Sequence, residues 1–113
     1  MDKLTHYQNT IKKILTEYER ISSQVPDPDV DEVLIFDDER SHYLWFNIGW
    51  KNGKRIKAIS VYVRVKNDRI YIEEDWTEEG IATELLHLGI PTSDIVLAFQ
   101  PPDARQFTEF SIA

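Results

Sequence analysis

The residues most able to do chemistry are Glu73, Glu74, Asp75, Glu78 and Glu79, carboxylates crowded into one short stretch. Hard oxygen ligands of this kind hold divalent cations, as in nucleases, where the metal activates water and offsets charge on an attacked phosphate. A nuclease core of the PD-(D/E)xK type also needs an acid two residues before a lysine, and no lysine in this chain has one there. Carboxylates that open a helix meet the positive end of its dipole, and that role requires nothing further. His6, His42 and His87 are scattered, none at the i, i+4 spacing of a helical metal pair. His87 falls in the last turn of a predicted helix, where free carbonyls await a partner. Ser22, Ser23, Ser41, Ser60 and Ser93 have no neighbouring glycine elbow, and four glycines leave little material for a phosphate-binding loop. Without cysteine there is no thiolate nucleophile and no disulfide. No short catalytic motif is present, and the chain does not read as an enzyme.

The formal charge of −7 is unevenly placed. Between Lys51 and Arg69 lie Lys54, Arg55, Lys57, Arg64 and Lys66 as well, opposed only by Asp68. The remainder is strongly acidic and repels phosphate, which argues against direct nucleic-acid contact unless Lys54, Arg55 and Lys57 act alone. Solvated turn and edge residues that blunt strand-to-strand aggregation need no such partner. At 113 residues, 42% hydrophobic and 29% charged, the chain is long enough for one domain with its own core, spanning 1–113. Met1-Asp2-Lys3 does not open a signal peptide, and no apolar run approaches the roughly 20 residues that cross a bilayer. A cytoplasmic domain without a membrane role is expected.

The elements that must position these residues are organised around 42–75. Asn52-Gly53 is a strong signal for a type I′ hairpin turn, which needs φ > 0 at both central residues, and Asn67-Asp68 is a weaker one. Two-residue turns predict Leu44 opposite Val61, Phe46 opposite Ile59, Val63 opposite Ile72 and Val65 opposite Ile70. Alternation then places Leu44, Phe46, Ile48, Ile59, Val61, Val63, Val65, Ile70 and Ile72 on one core face. Val33-Leu34-Ile35-Phe36 forms a preceding strand with Val33 and Ile35 on that face. Leu34 and Phe36 then share the other face with Tyr43, Trp45, Tyr62 and Tyr71, too aromatic for plain solvent-exposed sheet.

Leu4, Tyr7, Ile11, Ile14, Tyr18, Ile21 and Val25 alternate spacings of three and four, an apolar stripe on a helix ended by Pro26 and Pro28. Docking on the sheet is favoured over a coiled coil, because the sheet needs a cover. A second helix follows Gly80, with Ile81, Leu85 and Leu88 on one side and Asp75 or Thr77 as cap. Gly89 stops it in the left-handed conformation, with Ile90 folding back. Ile95 to Phe99 reads as a strand or buried extended segment, and Arg105, Phe107, Phe110 and Ile112 as an anchored tail. The predicted class is α+β: a long N-terminal helix packed on an antiparallel meander of four or five strands, then a short helix and an extended C-terminal segment.

Several runs carry a resemblance across essentially the whole chain. They are the opening Met1-Asp2-Lys3-Leu4 to Tyr7, then Ile72-Glu73-Glu74-Asp75, Thr77-Glu78-Glu79-Gly80-Ile81-Ala82, Glu84-Leu85 and Gly89-Ile90-Pro91. Asp94-Ile95-Val96-Leu97-Ala98-Phe99, Pro101-Pro102 and Arg105 complete the pattern. Together they resemble the XisI family, the cyanobacterial fdxN element excision controlling factors. Gln100 departs from the pattern, which often has histidine there, so no chemistry is placed on it. The resemblance implies a non-catalytic accessory factor in programmed excision of a DNA element during heterocyst development, with no cofactor, metal or catalytic residue. It implies a XisH-like protein as partner, with the cutting left to a separate site-specific recombinase, and it leaves a homo-oligomer open. The expected contact residues are Tyr43, Trp45, Tyr62 and Tyr71 on the aromatic face, with Arg105 and Phe107 on the tail, unless that tail covers the face within one subunit. Two rival readings are direct DNA contact through Lys54, Arg55 and Lys57, and inhibition of a nuclease-like partner by an acidic surface that mimics phosphate.

Overall fold

The computed structural model describes residues 2–112; Met1, part of the opening that carries the resemblance, and Ala113 lie outside the described residues. The chain runs α1 (Lys3–Ser22), β1 (Val30–Asp37), β2 (His42–Lys51), β3 (Lys54–Lys66), β4 (Arg69–Asp75), α2 (Ile81–His87) and β5 (Ile95–Leu97). The sheet order follows the sequence, β1 to β5, and the first four strands form an antiparallel meander. The fold is α+β, but the sheet is mixed: β5 pairs parallel to β4, because α2 intervenes and returns the chain in the same direction. No helix among the described residues is long and apolar enough to cross a membrane.

Both tight turns form where their residue types demand. Asn52 and Gly53 have φ of 54° and 75°, and Asn67 and Asp68 have 52° and 61°, so each hairpin closes with two residues. Near the turns the register is the one alternation predicts, with Val63 opposite Ile72, Val65 opposite Ile70 and Phe46 opposite Ile59.

Further along it slips. A bulge in β3 between the Phe46–Ile59 and Trp45–Val61 pairs leaves Ser60 without a partner, so Leu44 meets Tyr62 instead of Val61. One extra residue reverses the faces of everything beyond it. Val33, Ile35, Leu44 and Phe46 do share a face, but it is the outer one. Tyr43 is fully buried in the core, with Leu34 and Trp45 packed beside it. The Asn47 side chain donates to the Ser60 hydroxyl and occupies the bulge. A second bulge displaces Glu73, since Val63 pairs with Ile72 but Tyr62 pairs with Glu74.

Both helices cover one face, α1 across β1, β2 and β3, and α2 against α1 and β4. Tyr7, Ile11, Ile14 and Leu15 of α1 meet Val61, Val63, Ile70 and Ile72 of the sheet and Ile81 and Leu85 of α2. The helix ends at Ser22, before the prolines, and the outer members of its apolar stripe, Leu4 and Ile21 with Val25 beyond the helix, are exposed. Asp2 caps α1 by accepting from the Thr5 N–H at 2.7 Å. Asp94 then clamps the helix start to the turn before β5: Lys3 approaches its carboxylate at 2.8 Å and the Tyr7 hydroxyl donates to it.

Helix α2 is capped from a distance. Asp75 accepts from the Ile81 N–H at 2.7 Å and from Thr77, whose hydroxyl in turn accepts from Gly80. At its end Gly89 has φ of 87°; the Ile90 N–H donates to Leu85 and the Gly89 N–H to Leu86, each at 3.0 Å. That pair of bonds is a Schellman motif, and buried Ile90 supplies its apolar contact.

Candidate protein interface

Among the described residues, the face of the sheet opposite the helices has no second layer over its first four strands. On it β1 contributes Val33 and Ile35, β2 Leu44 and Phe46, β3 Ile59 and Tyr62, and β4 Tyr71. Ile35 is 48% exposed and the others lie between half-buried and exposed. A polar band crosses the apolar patch. The His42 ring hydrogen-bonds the Tyr62 hydroxyl at 2.8 Å, and Arg64 donates to Glu73 at 2.8 Å. Arg64 and Lys66 approach the Tyr71 ring at 5.8 and 6.0 Å, so two cations lie within cation–π range of that ring.

The aromatic residues expected on one face are therefore split. Tyr62 and Tyr71 stand on the open face. Tyr43 does not: it is a core residue, its ring 5.9 Å from Phe36 and its hydroxyl donating to Asp38 at 2.7 Å. Burial, and the carboxylate of Asp38, push that hydroxyl's pKa well above the ordinary tyrosine value. Trp45 also faces the helices, its ring 6.0 Å from Tyr18, with a buried Nε1 that has no hydrogen-bond partner among the described residues. The bulge at Ser60 turns both side chains to the helix side, and no residue type in the sequence announces it.

The tail divides as well. Arg105 donates to the carbonyls of Gln100 and Ala98 at 3.1 and 3.3 Å, so its guanidinium ties down the loop after β5. Phe107 is 84% exposed. The tail returns beside β5 through a parallel bridge between Val96 and Ser111, and Val96 is fully buried at that corner. It closes the β5 edge and leaves Leu44, Phe46, Tyr62 and Tyr71 uncovered.

The carboxylate stretch is dispersed rather than gathered. Glu73 pairs with Arg64, Glu74 accepts from the Trp76 indole at 2.7 Å, and Asp75 caps α2. Among the described residues no group of three or more histidines and carboxylates could hold a metal ion. At the β2–β3 tip Lys51 is bound to Asp27 at 2.7 Å and Arg55 lies over Trp50 at 5.4 Å, while Lys54 and Lys57 stand exposed.

Residues 1–112 match the family model described as "XisI protein". The chain belongs to the XisI family. Its fold agrees with that of the fdxN element excision controlling factor XisI from Anabaena variabilis ATCC 29413: TM-score 0.89 and 45% identity over 99% of this chain and 100% of that one. A XisI-like protein from the same organism matches at TM-score 0.89 and 40% identity over 97% and 99%. No curated protein matches the chain. At these identities and coverages the likeness extends over essentially the whole fold.

Proposed function

We propose that this chain is a non-catalytic controlling factor in the excision of a DNA element, and that it acts by holding a protein partner of the XisH type on the open face of its sheet. Membership of the XisI family supports the role, since a solved relative bears the description of an fdxN element excision controlling factor. The observation that carries the mode of action is the uncovered face itself. An apolar, aromatic patch with a paired polar band has the make-up of a protein-binding surface rather than of a substrate pocket. Tyr62 and Tyr71 are its anchors, because tyrosines combine a large contact area with a polar tip. Through this partner the chain meets the recombination machinery.

Co-purification with the XisH-type protein tests the proposal. Wild type retains the partner, and Tyr62→Ser with Tyr71→Ser releases it while the domain keeps its fold. Retention by the double variant rejects the open face as the interface.

A further inference from the structure

Between the C-terminal half of α1, the helix-side face of the sheet and the loop into α2 lies a cleft of about 560 Å³. Tyr18, Trp45 and Trp76 supply its aromatic walls, and Glu78, Glu79 and Glu84 its acidic rim; none of the other lining residues is basic. The walls are fixed. Tyr18 and Trp45 lie ring against ring, and Trp76 is tied by its N–H to the Ser60 carbonyl at 2.9 Å and by its indole to Glu74. Yet Trp76 is 78% exposed, a large ring held in place with little packed on it. It also lines the hollow beside Phe46 and Ile59 on the open face, so cleft and open face meet at this side chain.

The rim charges lack counter-ions. Among the described residues no lysine or arginine pairs with Glu78, Glu79 or Glu84, and Glu84 has only His87, 3.9 Å away. The charges of Glu84 and Glu79 reach the aromatic wall: burial, and then the charges of Glu84, Asp75 and Glu79, push the pKa of the Tyr18 hydroxyl up to about 12. Aromatic faces beside unpaired carboxylates attract a cation, and a guanidinium best of all. Its plane stacks on a ring while its N–H groups reach the carboxylates.

We propose that this cleft receives an arginine side chain projecting from the partner protein, seated between Trp76 and Tyr18 and held by Glu78, Glu79 and Glu84. The inference rests on the partner-binding reading above and adds a specificity element to it. The open face supplies contact area, and the cleft selects a partner with a basic side chain at its margin.

The test follows the indole N–H signals of Trp45, Trp50 and Trp76 in the full chain by NMR as N-acetyl-arginine amide is added at low salt. N-acetyl-citrulline amide, the neutral isostere, serves as control. Arginine amide shifts Trp76 and Trp45 in a saturable way, leaves Trp50 still, and binds roughly fivefold or more weakly to Glu78→Gln/Glu79→Gln. An arginine-bearing peptide copied from the partner's surface binds more tightly than the single residue, as a protein-borne occupant requires. Equal shifts with citrulline amide, equal response at Trp50, or unchanged affinity in the double variant overturns the proposal. Self-association of the protein alone that shifts Trp76 and is abolished by Lys54→Glu would give the cleft to a second copy, and also overturns it. Partner capture undiminished in Glu78→Gln/Glu79→Gln removes the cleft while leaving partner binding standing. Failure of the wild type to capture the partner, with arginine amide still bound, removes the partner reading instead.

Discussion

Replacing Tyr43 and Tyr62 by alanine, one at a time, separates the bulged register from the uniform one that alternation alone predicts. Without the extra residue at Ser60 these tyrosines would share an outer face and cost about the same to remove. In the structure Tyr43 is fully buried against Phe36 and the α1 side of the core, whereas Tyr62 is half-buried on the open face. Truncating a buried aromatic ring costs about 3–5 kcal/mol, the lost transfer energy plus the cavity left behind. The half-buried ring, whose hydroxyl bonds to His42, should cost about 1 kcal/mol. Tyr43→Phe isolates the hydroxyl; its bond to the part-exposed carboxylate of Asp38 is worth about 1 kcal/mol. With a urea slope of about 2 kcal/mol per molar, a difference of about 3 kcal/mol separates the Tyr43→Ala and Tyr62→Ala midpoints by roughly 1.5 M. Tryptophan fluorescence in a urea titration reads both midpoints. Values within about 0.3 M of each other would refute the bulge and the face assignment built on it.

Three further outcomes follow from local geometry. Gly89→Ala meets no atom within 4 Å but forces a side chain into φ of 87°, so thermal or urea unfolding should register a loss of about 1–2 kcal/mol, and no loss would contradict the Schellman ending of α2. Gly49→Ala places a Cβ 2.0 Å from the Asp29 carbonyl, which accepts the Trp50 N–H; it should cost about 3 kcal/mol and free the α1–β1 loop, seen as faster amide exchange at Trp50. Burial pushes the Asp94 carboxyl up, but its bonds from Lys3 and Tyr7 outweigh this and hold its pKa below the ordinary value. Its share of stability is complete above about pH 3.9 and is lost as pH falls through the depressed value, so unfolding midpoints of Asp94→Asn should fall less steeply in acid than those of wild type, and parallel profiles would contradict the clamp.

Much of this fold is written in local chemistry. Asn52-Gly53 and Asn67-Asp68 specify their turns because few other residues tolerate φ > 0, and Gly89 with Ile90 specifies the end of α2 for the same reason. The α1 stripe is legible because period 3.6 survives any tertiary context, although which of its outer members stay exposed is not. The bulges escape notice: Ser60 and Glu73 are ordinary strand residues, and what displaces them is agreement between strands that no single segment records. Within each half of the meander the residues sharing a face were readable. Which half faced the helices was not. Tyr43 and Trp45 consequently read as surface and Leu44 and Phe46 as core, the reverse of their places. Arg105 reads as a contact residue because its bonds to Ala98 and Gln100 exist only once the tail has turned back. The Tyr18, Trp45 and Trp76 cleft joins three separate elements, so no spacing in the sequence could disclose it.

The most direct measurement is the affinity of the purified chain for a XisH-type protein, by calorimetry, for wild type, Tyr62→Ser/Tyr71→Ser and Lys54→Gln/Arg55→Gln/Lys57→Gln. Wild type and the tip variant should bind, and the tyrosine variant should lose binding with its fold intact. Undiminished binding by the tyrosine variant, or loss only when the tip is neutralised, would contradict the open face as the interface.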